Sequence, residues 1–204
     1  MPRYLAYTLA ALVLLMMAAL PAHAIEVGKP APDFTAKDIK GNEFKLSDHK
    51  GELVVLEWTN DQCPFVKKHY ESKNMQKAQE AANAKGVYWV TIVSSAPGLQ
   101  GHLTPEKAQE IIDSTGATPD AKILDESGEL GHLYNATTTP NMFVIDKEGT
   151  LAYAGAIDDN SSPDPKTIEG AKNYVLTALD ELEAGKPVET AQTQPYGCGV
   201  KYAK

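Results

Sequence analysis

The chain has 204 residues, of which 43% are hydrophobic, and its formal net charge at pH 7 is −8. This length suits a single domain with a substantial core. The acidic balance argues against nucleic acid and against an anionic membrane surface as partners.

Residues 1–24 have the pattern of a secretory signal peptide. Arg3 is the only charged residue in this stretch, the run from Leu9 to Leu20 is apolar, and Ala22-His23-Ala24 matches a small-x-small cleavage site. The apolar run is too short for a comfortable membrane span. We therefore expect cleavage after Ala24 and export to an oxidising compartment, most simply a bacterial periplasm.

An N-terminal β-hairpin is predicted next. Phe34 lies on one arm, Phe44 and Leu46 lie on the other, and residues 40–42 form the turn. The apolar run from Leu53 to Trp58 then has the length of a buried strand, whereas a helix is usually longer.

The turn after this strand carries Cys63. Pro64 occupies the favoured first position of a helix, and helix-forming residues continue to Lys85, just before Gly86. Unpaired N–H groups and the dipole at a helix N-terminus stabilise a thiolate, the reactive form of cysteine. We predict a lowered pKa for Cys63, which the nearby Asp61 opposes. The alternative interpretation is a small buried hydrophobe or half of a structural disulfide.

The remaining elements follow from periodicity and from turn residues. They are a strand at 87–93 parallel to the first, a helix at 104–116, a short strand at 122–124, a brief helix at 127–134, a hairpin of 141–146 and 151–157, and a helix at 168–182. Residues 188–204 show no helical period and are predicted to be an extended tail. We divide the chain into a signal peptide (1–24), one domain (25–187) and this tail, which carries Cys198.

This order of elements resembles the thioredoxin fold, an α/β architecture in which helices flank a central mixed sheet. The stretch from Gly28 to Trp58 resembles more narrowly the redoxin branch, the alkyl hydroperoxide reductase and thiol-specific antioxidant family. Three places carry the resemblance, namely Pro32-Asp33-Phe34 with its hairpin, Cys63-Pro64-Phe65-Val66, and Thr139-Pro140. The ending Gly197 to Tyr202 is also similar to that of a peroxiredoxin-like subgroup.

The resemblance implies a site for thiol redox chemistry. Cys63 would be the catalytic thiol, with Cys198 as its resolving partner. The proline of Thr139-Pro140 is usually cis in this fold and lies against the active cysteine, and the backbone of Thr139 is then available to pair with an extended substrate. The substrate-binding set that we predict is Thr139, Pro140, Pro64, Asn60 and Thr59. We predict no metal and no cofactor.

Departures from the family pattern bear on the reaction. Val66 stands where a Cys-x-x-Cys protein has its second cysteine, no arginine follows Arg3, and Asn60 stands where peroxiredoxins usually have Thr or Ser. Because arginine and hydroxyl donors stabilise the transition state of peroxide cleavage, we expect a poor peroxidase. The predicted partners are a protein or small-molecule disulfide or peroxide, with disulfide exchange ranked first, and a thiol reductant that the sequence does not identify.

Two classes of function stay open. The chain is either a thiol oxidoreductase or a non-catalytic binding or scaffold protein with a permanent Cys63–Cys198 disulfide. Lys67 and Lys68 are interpreted as solvated helix residues. Asp158 is interpreted as a solvated loop residue whose role is to keep that loop soluble.

Overall fold

The computed structural model describes residues 25–203, so the predicted signal peptide lies outside the described residues. The strands are β1 (Thr35–Lys37), β2 (Glu43–Lys45), β3 (Val54–Trp58), β4 (Tyr88–Val93), β5 (Ala121–Leu124), β6 (Thr138–Thr139), β7 (Asn141–Ile145), β8 (Leu151–Gly155) and β9 (Cys198–Gly199). The helices are α1 (Pro64–Glu71), α2 (Asn74–Asn83), α3 (Pro105–Thr115), α4 (Glu129–Leu133) and α5 (Tyr174–Glu183).

A mixed sheet forms the centre of the molecule. Its strand order is β5-β4-β3-β7-β8, in which β3, β4 and β5 run parallel while β7 and β8 are antiparallel to their neighbours. Alternate side chains of β3 enter different apolar clusters, with Leu56 and Trp58 on one face and Val55 on the other. Both faces are covered, which explains why β3 shows no alternation of apolar and polar residues and is apolar at every position except Glu57. The predicted α/β fold is confirmed.

The N-terminal hairpin is also confirmed. β1 pairs antiparallel with β2, with Thr35 opposite Lys45. Phe34, Phe44 and Leu46 are buried and belong to one cluster with the central sheet. The hairpin therefore extends the core beyond the central sheet.

The helix predicted from Pro64 to Lys85 is in fact two helices, α1 and α2. Lys73 separates them with a left-handed backbone (φ 63°), and the hydroxyl of Ser72 accepts the N–H of Asn74 at 3.4 Å. The sequence around this break consists of residues that helices tolerate, so propensity did not reveal it.

The last helix begins later than predicted. Ile168 belongs to a short 3₁₀ helix (Pro165–Ile168), and Gly170 then adopts a left-handed conformation with φ of 80°. α5 starts at Tyr174, where the side chain of Asn173 accepts the N–H of Leu176 at 3.0 Å. This cap sets the true beginning of the helix.

Residues 188–203 form no helix, and this C-terminal tail reaches β6. There β9 pairs antiparallel with β6, with Cys198 opposite Thr139. The N–H of Val200 continues the contact by donating to the carbonyl of Thr137 at 3.2 Å. Within residues 25–203, no helix combines the length and apolar character needed to cross a membrane.

Candidate active site

Cys63 lies at the N-cap of α1, directly after the turn that leaves β3, and Pro64 follows at the first helical position. Its side chain is fully buried. The Sγ atom is 2.7 Å from Sγ of Cys198 and 3.1 Å from the carbonyl oxygen of Thr139, and both cysteines are free thiols. The structure therefore brings together the two predicted redox residues, although 135 positions separate them in sequence.

The position of Cys198 follows from the pairing of the tail with β6. The Thr139–Pro140 peptide bond is cis, as the resemblance implied. Thr139 is buried and pairs with Cys198 across the ladder, which fixes the register of the tail beside the Cys63 thiol. The edge that the resemblance assigns to an extended substrate is thus occupied by the protein's own tail.

The two thiols have different acidities. Burial favours the neutral form of Cys63, but its contact with the Cys198 thiol and hydrogen bonds from the backbone N–H groups of Val66 and Cys198 outweigh it, so the pKa of Cys63 is lowered. Burial and the neighbouring Cys63 raise the pKa of Cys198 to about 11. Cys63 is therefore the more acidic thiol of the pair and the one that more readily forms the reactive thiolate.

Asn60 and Thr59, which were predicted to bind substrate, form hydrogen bonds within the protein. Asn60 is buried, accepts the N–H of Gln62 at 2.9 Å and donates to the carbonyl of Gln100 at 3.2 Å. The bond to Gln100 therefore connects the active-site turn to the loop after β4. Thr59 is buried and its N–H donates to the carbonyl of Ile92 at 2.9 Å.

A buried polar cluster anchors the tail next to Cys198, and sequence reasoning missed it. Tyr196 donates its phenol hydrogen to Asp158. The ammonium of Lys68 lies 3.4 Å from the Asp158 carboxylate and donates to the carbonyl of Asn160 at 2.6 Å. His69 contacts the Tyr196 hydroxyl through Nε2 at 3.1 Å. We call Lys68, His69, Asp158 and Tyr196 the tail anchor.

The tail anchor corrects two interpretations made from sequence. Lys68 is 1% exposed and Asp158 is 3% exposed, so neither is a solvated surface residue. Lys67, the neighbour of Lys68, is exposed as expected. An available signal was the aromatic Tyr196 close to Cys198 in a tail otherwise poor in large apolar residues.

Comparison with known proteins defines the family. A model of the AhpC/TSA family matches residues 27–154, which is more than half of the chain. The chain belongs to the AhpC/TSA family. Among curated relatives, thiol-disulfide oxidoreductase ResA of Geobacillus kaustophilus is 28% identical over 128 residues, covering 63% of this chain and 68% of the relative. Thioredoxin-like protein YneN of Bacillus subtilis is 27% identical over 131 residues, with coverages of 62% and 69%.

Solved structures agree with the observed fold. A hypothetical protein of Sinorhizobium meliloti superposes with a TM-score of 0.75 at 26% identity, covering 88% of this chain and 96% of the other. The thioredoxin domain of a thiol-disulfide oxidoreductase of Bacteroides vulgatus gives a TM-score of 0.51 at 21% identity, with coverages of 71% and 96%. At that identity the likeness concerns the fold alone, which is thioredoxin-like.

Proposed function

We propose that this protein is a thiol-disulfide oxidoreductase in which Cys63 is the nucleophile and Cys198 the resolving thiol. The observation that carries the proposal is the 2.7 Å contact between the two sulfur atoms at the N-terminus of α1. Membership of the AhpC/TSA family and the similarity to ResA proteins support a thiol redox function. The substrates would be protein or small-molecule disulfides.

The reaction proceeds in two exchanges. The Cys63 thiolate attacks a substrate disulfide, forms a mixed disulfide and releases one substrate sulfur as a thiolate. Cys198 then loses its proton and attacks Sγ of Cys63, which forms the Cys63–Cys198 disulfide and expels the second substrate sulfur. The substrate gains two electrons, the cysteine pair loses them, and an external thiol reductant restores the dithiol.

The tail must lift before the first exchange. The side chain of Cys63 is fully buried, and Cys198 occupies the space where a substrate sulfur would approach. β9 contains two residues, so few backbone hydrogen bonds hold it at that point. Lifting exposes Cys63 to substrate, and return of the tail delivers Cys198 for resolution.

Disulfide exchange is proposed as the preferred reaction over peroxide reduction. Peroxide cleavage needs fixed donors aimed at the leaving oxygen, and loss of one such donor costs about 10²–10³ in rate. Residues 25–204 contain no arginine, and the Asn60 amide is occupied by Gln62 and Gln100. Exchange with a disulfide needs mainly a thiolate and an accessible sulfur.

We propose that residues 1–24 are a signal peptide, that residues 25–187 form the redox domain and that residues 188–204 form its tail. The protein would then act in the periplasm. There it meets protein thiols and disulfides, and its reductant would be another thiol protein or a small thiol.

One comparison tests the proposed reaction. The rate of Cys63 oxidation by hydrogen peroxide is measured beside the rate of its reaction with oxidised glutathione in the same buffer. We expect the disulfide to react faster. A faster peroxide reaction would overturn the preference, and a Cys63–Cys198 potential below about −300 mV would indicate a structural bond in place of a catalytic one.

A further inference from the structure

The tail has a second attachment beyond the tail anchor, and Tyr202 forms it. The Tyr202 hydroxyl donates a hydrogen bond to the carbonyl of Ala136 at 2.6 Å. The Tyr202 ring stacks on the imidazole of His132, with 4.0 Å between the ring centroids. Gly128 and Gly131 lie against the same ring. We call these five residues the tail clasp.

The two glycines make room for the Tyr202 ring. A Cβ atom on Gly131 would overlap the Tyr202 hydroxyl, and a Cβ atom on Gly128 would lie 2.6 Å from Cδ1 of the ring. Gly131 lies within α4, where alanine is the better helix former. Helix propensity therefore does not account for a glycine at this position, whereas the close approach of Tyr202 does.

The segment between the tail anchor and the tail clasp covers the active site. It carries Cys198, whose Sγ atom is 2.7 Å from Sγ of the fully buried Cys63. Beyond Cys198, the carbonyl of Lys201 accepts the N–H of Ala96 at 2.9 Å, and the clasp follows directly. The resolving thiol is thus held over Cys63 by attachments on both sides of it.

The two attachments differ in burial. The tail anchor contains the ion pair of Lys68 and Asp158, whose side chains are both buried. The Tyr202 ring is only partly buried, and the imidazole of His132 that it stacks on is exposed. Local opening begins where buried contacts are fewest. The clasp is therefore the end of the covering segment that opens first.

We propose that Tyr202 is a positioning residue for both exchanges of the thiol pair, an inference that rests on the proposed function. When the clasp is open, the covering segment moves away and a substrate sulfur reaches the Cys63 thiolate. When the clasp is closed, Cys198 returns to Cys63 and resolves the mixed disulfide. Loss of the clasp therefore accelerates the first exchange and slows the second.

Stopped-flow absorbance with one equivalent of dithiobis-nitrobenzoate measures both exchanges, because each releases one aromatic thiolate. Tyr202→Ala removes the ring and its hydrogen bond. We expect the first exchange to be about tenfold or more faster, since a stacked ring and a hydrogen bond together have that order of effect. The second should be several-fold slower, because Cys198 spends less time beside Cys63. Tyr202→Phe keeps the ring and should show smaller changes in the same directions.

Gly131→Ala tests the clasp from the opposite side, with Tyr202 intact. The added methyl group takes the place of the Tyr202 hydroxyl, so the same pair of opposite changes is expected, although alanine favours the helix. Gly199→Ala is the matched control, because a Cβ there meets open space. It should change neither rate by more than about twofold.

Opposite changes separate a positioning role from a structural one, because a general loss of structure moves both exchanges together. The role of Tyr202 is overturned if Tyr202→Ala and Gly131→Ala keep the wild-type rates, or if the two rates change in the same direction. A wild-type protein that releases only one aromatic thiolate would overturn the proposed function, and the role of Tyr202 with it.

Discussion

Gly197 lies so close to the carbonyl oxygen of Thr139 that a Cβ atom on Gly197 would overlap that oxygen. Its φ of +131° is one that residues with a side chain rarely adopt. The next residue, Cys198, pairs with Thr139 in the β6–β9 ladder. The contact between Gly197 and Thr139 therefore lets the tail lie deep enough for Cys198 to reach Cys63.

Gly197→Ala should lift the tail from the active site. The new methyl group clashes with the Thr139 carbonyl and strains the backbone, so Cys63 loses its cover. We expect iodoacetamide to alkylate Cys63 about tenfold faster or more, which corresponds to about 1.4 kcal/mol of lost tail docking. Gly199→Ala is the matched control, because a Cβ there meets open space. Equal alkylation rates in the two variants would contradict this role of Gly197.

Lys68→Met should destabilise the fold strongly. The substitution leaves the Asp158 carboxylate buried with its ion-pair partner removed, and breaking such a buried pair costs about 3–5 kcal/mol. Lys67→Met removes the same type of side chain from an exposed neighbouring position and should change stability by about 0.5 kcal/mol or less. Urea denaturation of both variants measures the difference. Similar midpoints would mean that Lys68 is not part of an anchor.

Tyr196→Phe should weaken the attachment of the tail while leaving the shape of the side chain nearly unchanged. It removes the phenol hydrogen that Asp158 accepts, and an unsatisfied buried group costs about 1–3 kcal/mol. Tyr174→Phe serves as the control, because within residues 25–203 the Tyr174 hydroxyl has no hydrogen-bond partner and its ring stacks on Tyr153. We expect faster amide hydrogen exchange in residues 196–200 of Tyr196→Phe alone. Unchanged exchange there would remove Tyr196 from the anchor.

His69 should make stability depend on pH. Burial lowers the pKa of His69 to about 4. The positive charge of Lys68 lowers this pKa further, whereas the Asp158 carboxylate raises it. The unfolded chain, with a histidine pKa of about 6.5, binds an extra proton between these values. The contribution of neutral His69 is therefore complete above pH of about 6.5 and is lost as pH falls toward about 4, by about 1.4 kcal/mol per unit.

The variant His69→Gln isolates this effect from other titrating groups. Between pH 7.5 and pH 5, the wild type should lose about 2 kcal/mol more free energy of unfolding than His69→Gln. Urea titrations at both pH values provide the comparison. Parallel pH dependences would mean that His69 does not stay neutral in the folded protein.

Much of the fold was predictable because local signals agreed with tertiary structure. The apolar run at β3, the Cys63-Pro64 helix start and the Thr139-Pro140 pair each have a local physical reason and lie where the sequence predicts. The break at Lys73 was not predictable, because no glycine or proline marks it. Residue propensities there permit a continuous helix.

The approach of the tail to the active site lay beyond local reasoning. Cys198 reaches Cys63 through pairing with β6 and through Tyr196, and both are contacts between residues distant in sequence. The burial of Lys68 has the same origin, because its partner Asp158 lies 90 positions later in the chain. A lysine on a helix carries no sign of such a partner in its own neighbourhood.

The roles of Cys63 and Cys198 are tested most directly by product analysis after reaction with a small aromatic disulfide such as dithiobis-nitrobenzoate. Wild type should release two aromatic thiols per chain and end with a Cys63–Cys198 disulfide. Cys198→Ser should stop at a mixed disulfide on Cys63, and Cys63→Ser should react slowly. Mass spectrometry of non-reduced peptides identifies each product. A Cys63→Ser variant that reacts as fast as wild type, or a wild type that stops at the mixed disulfide, would contradict the account.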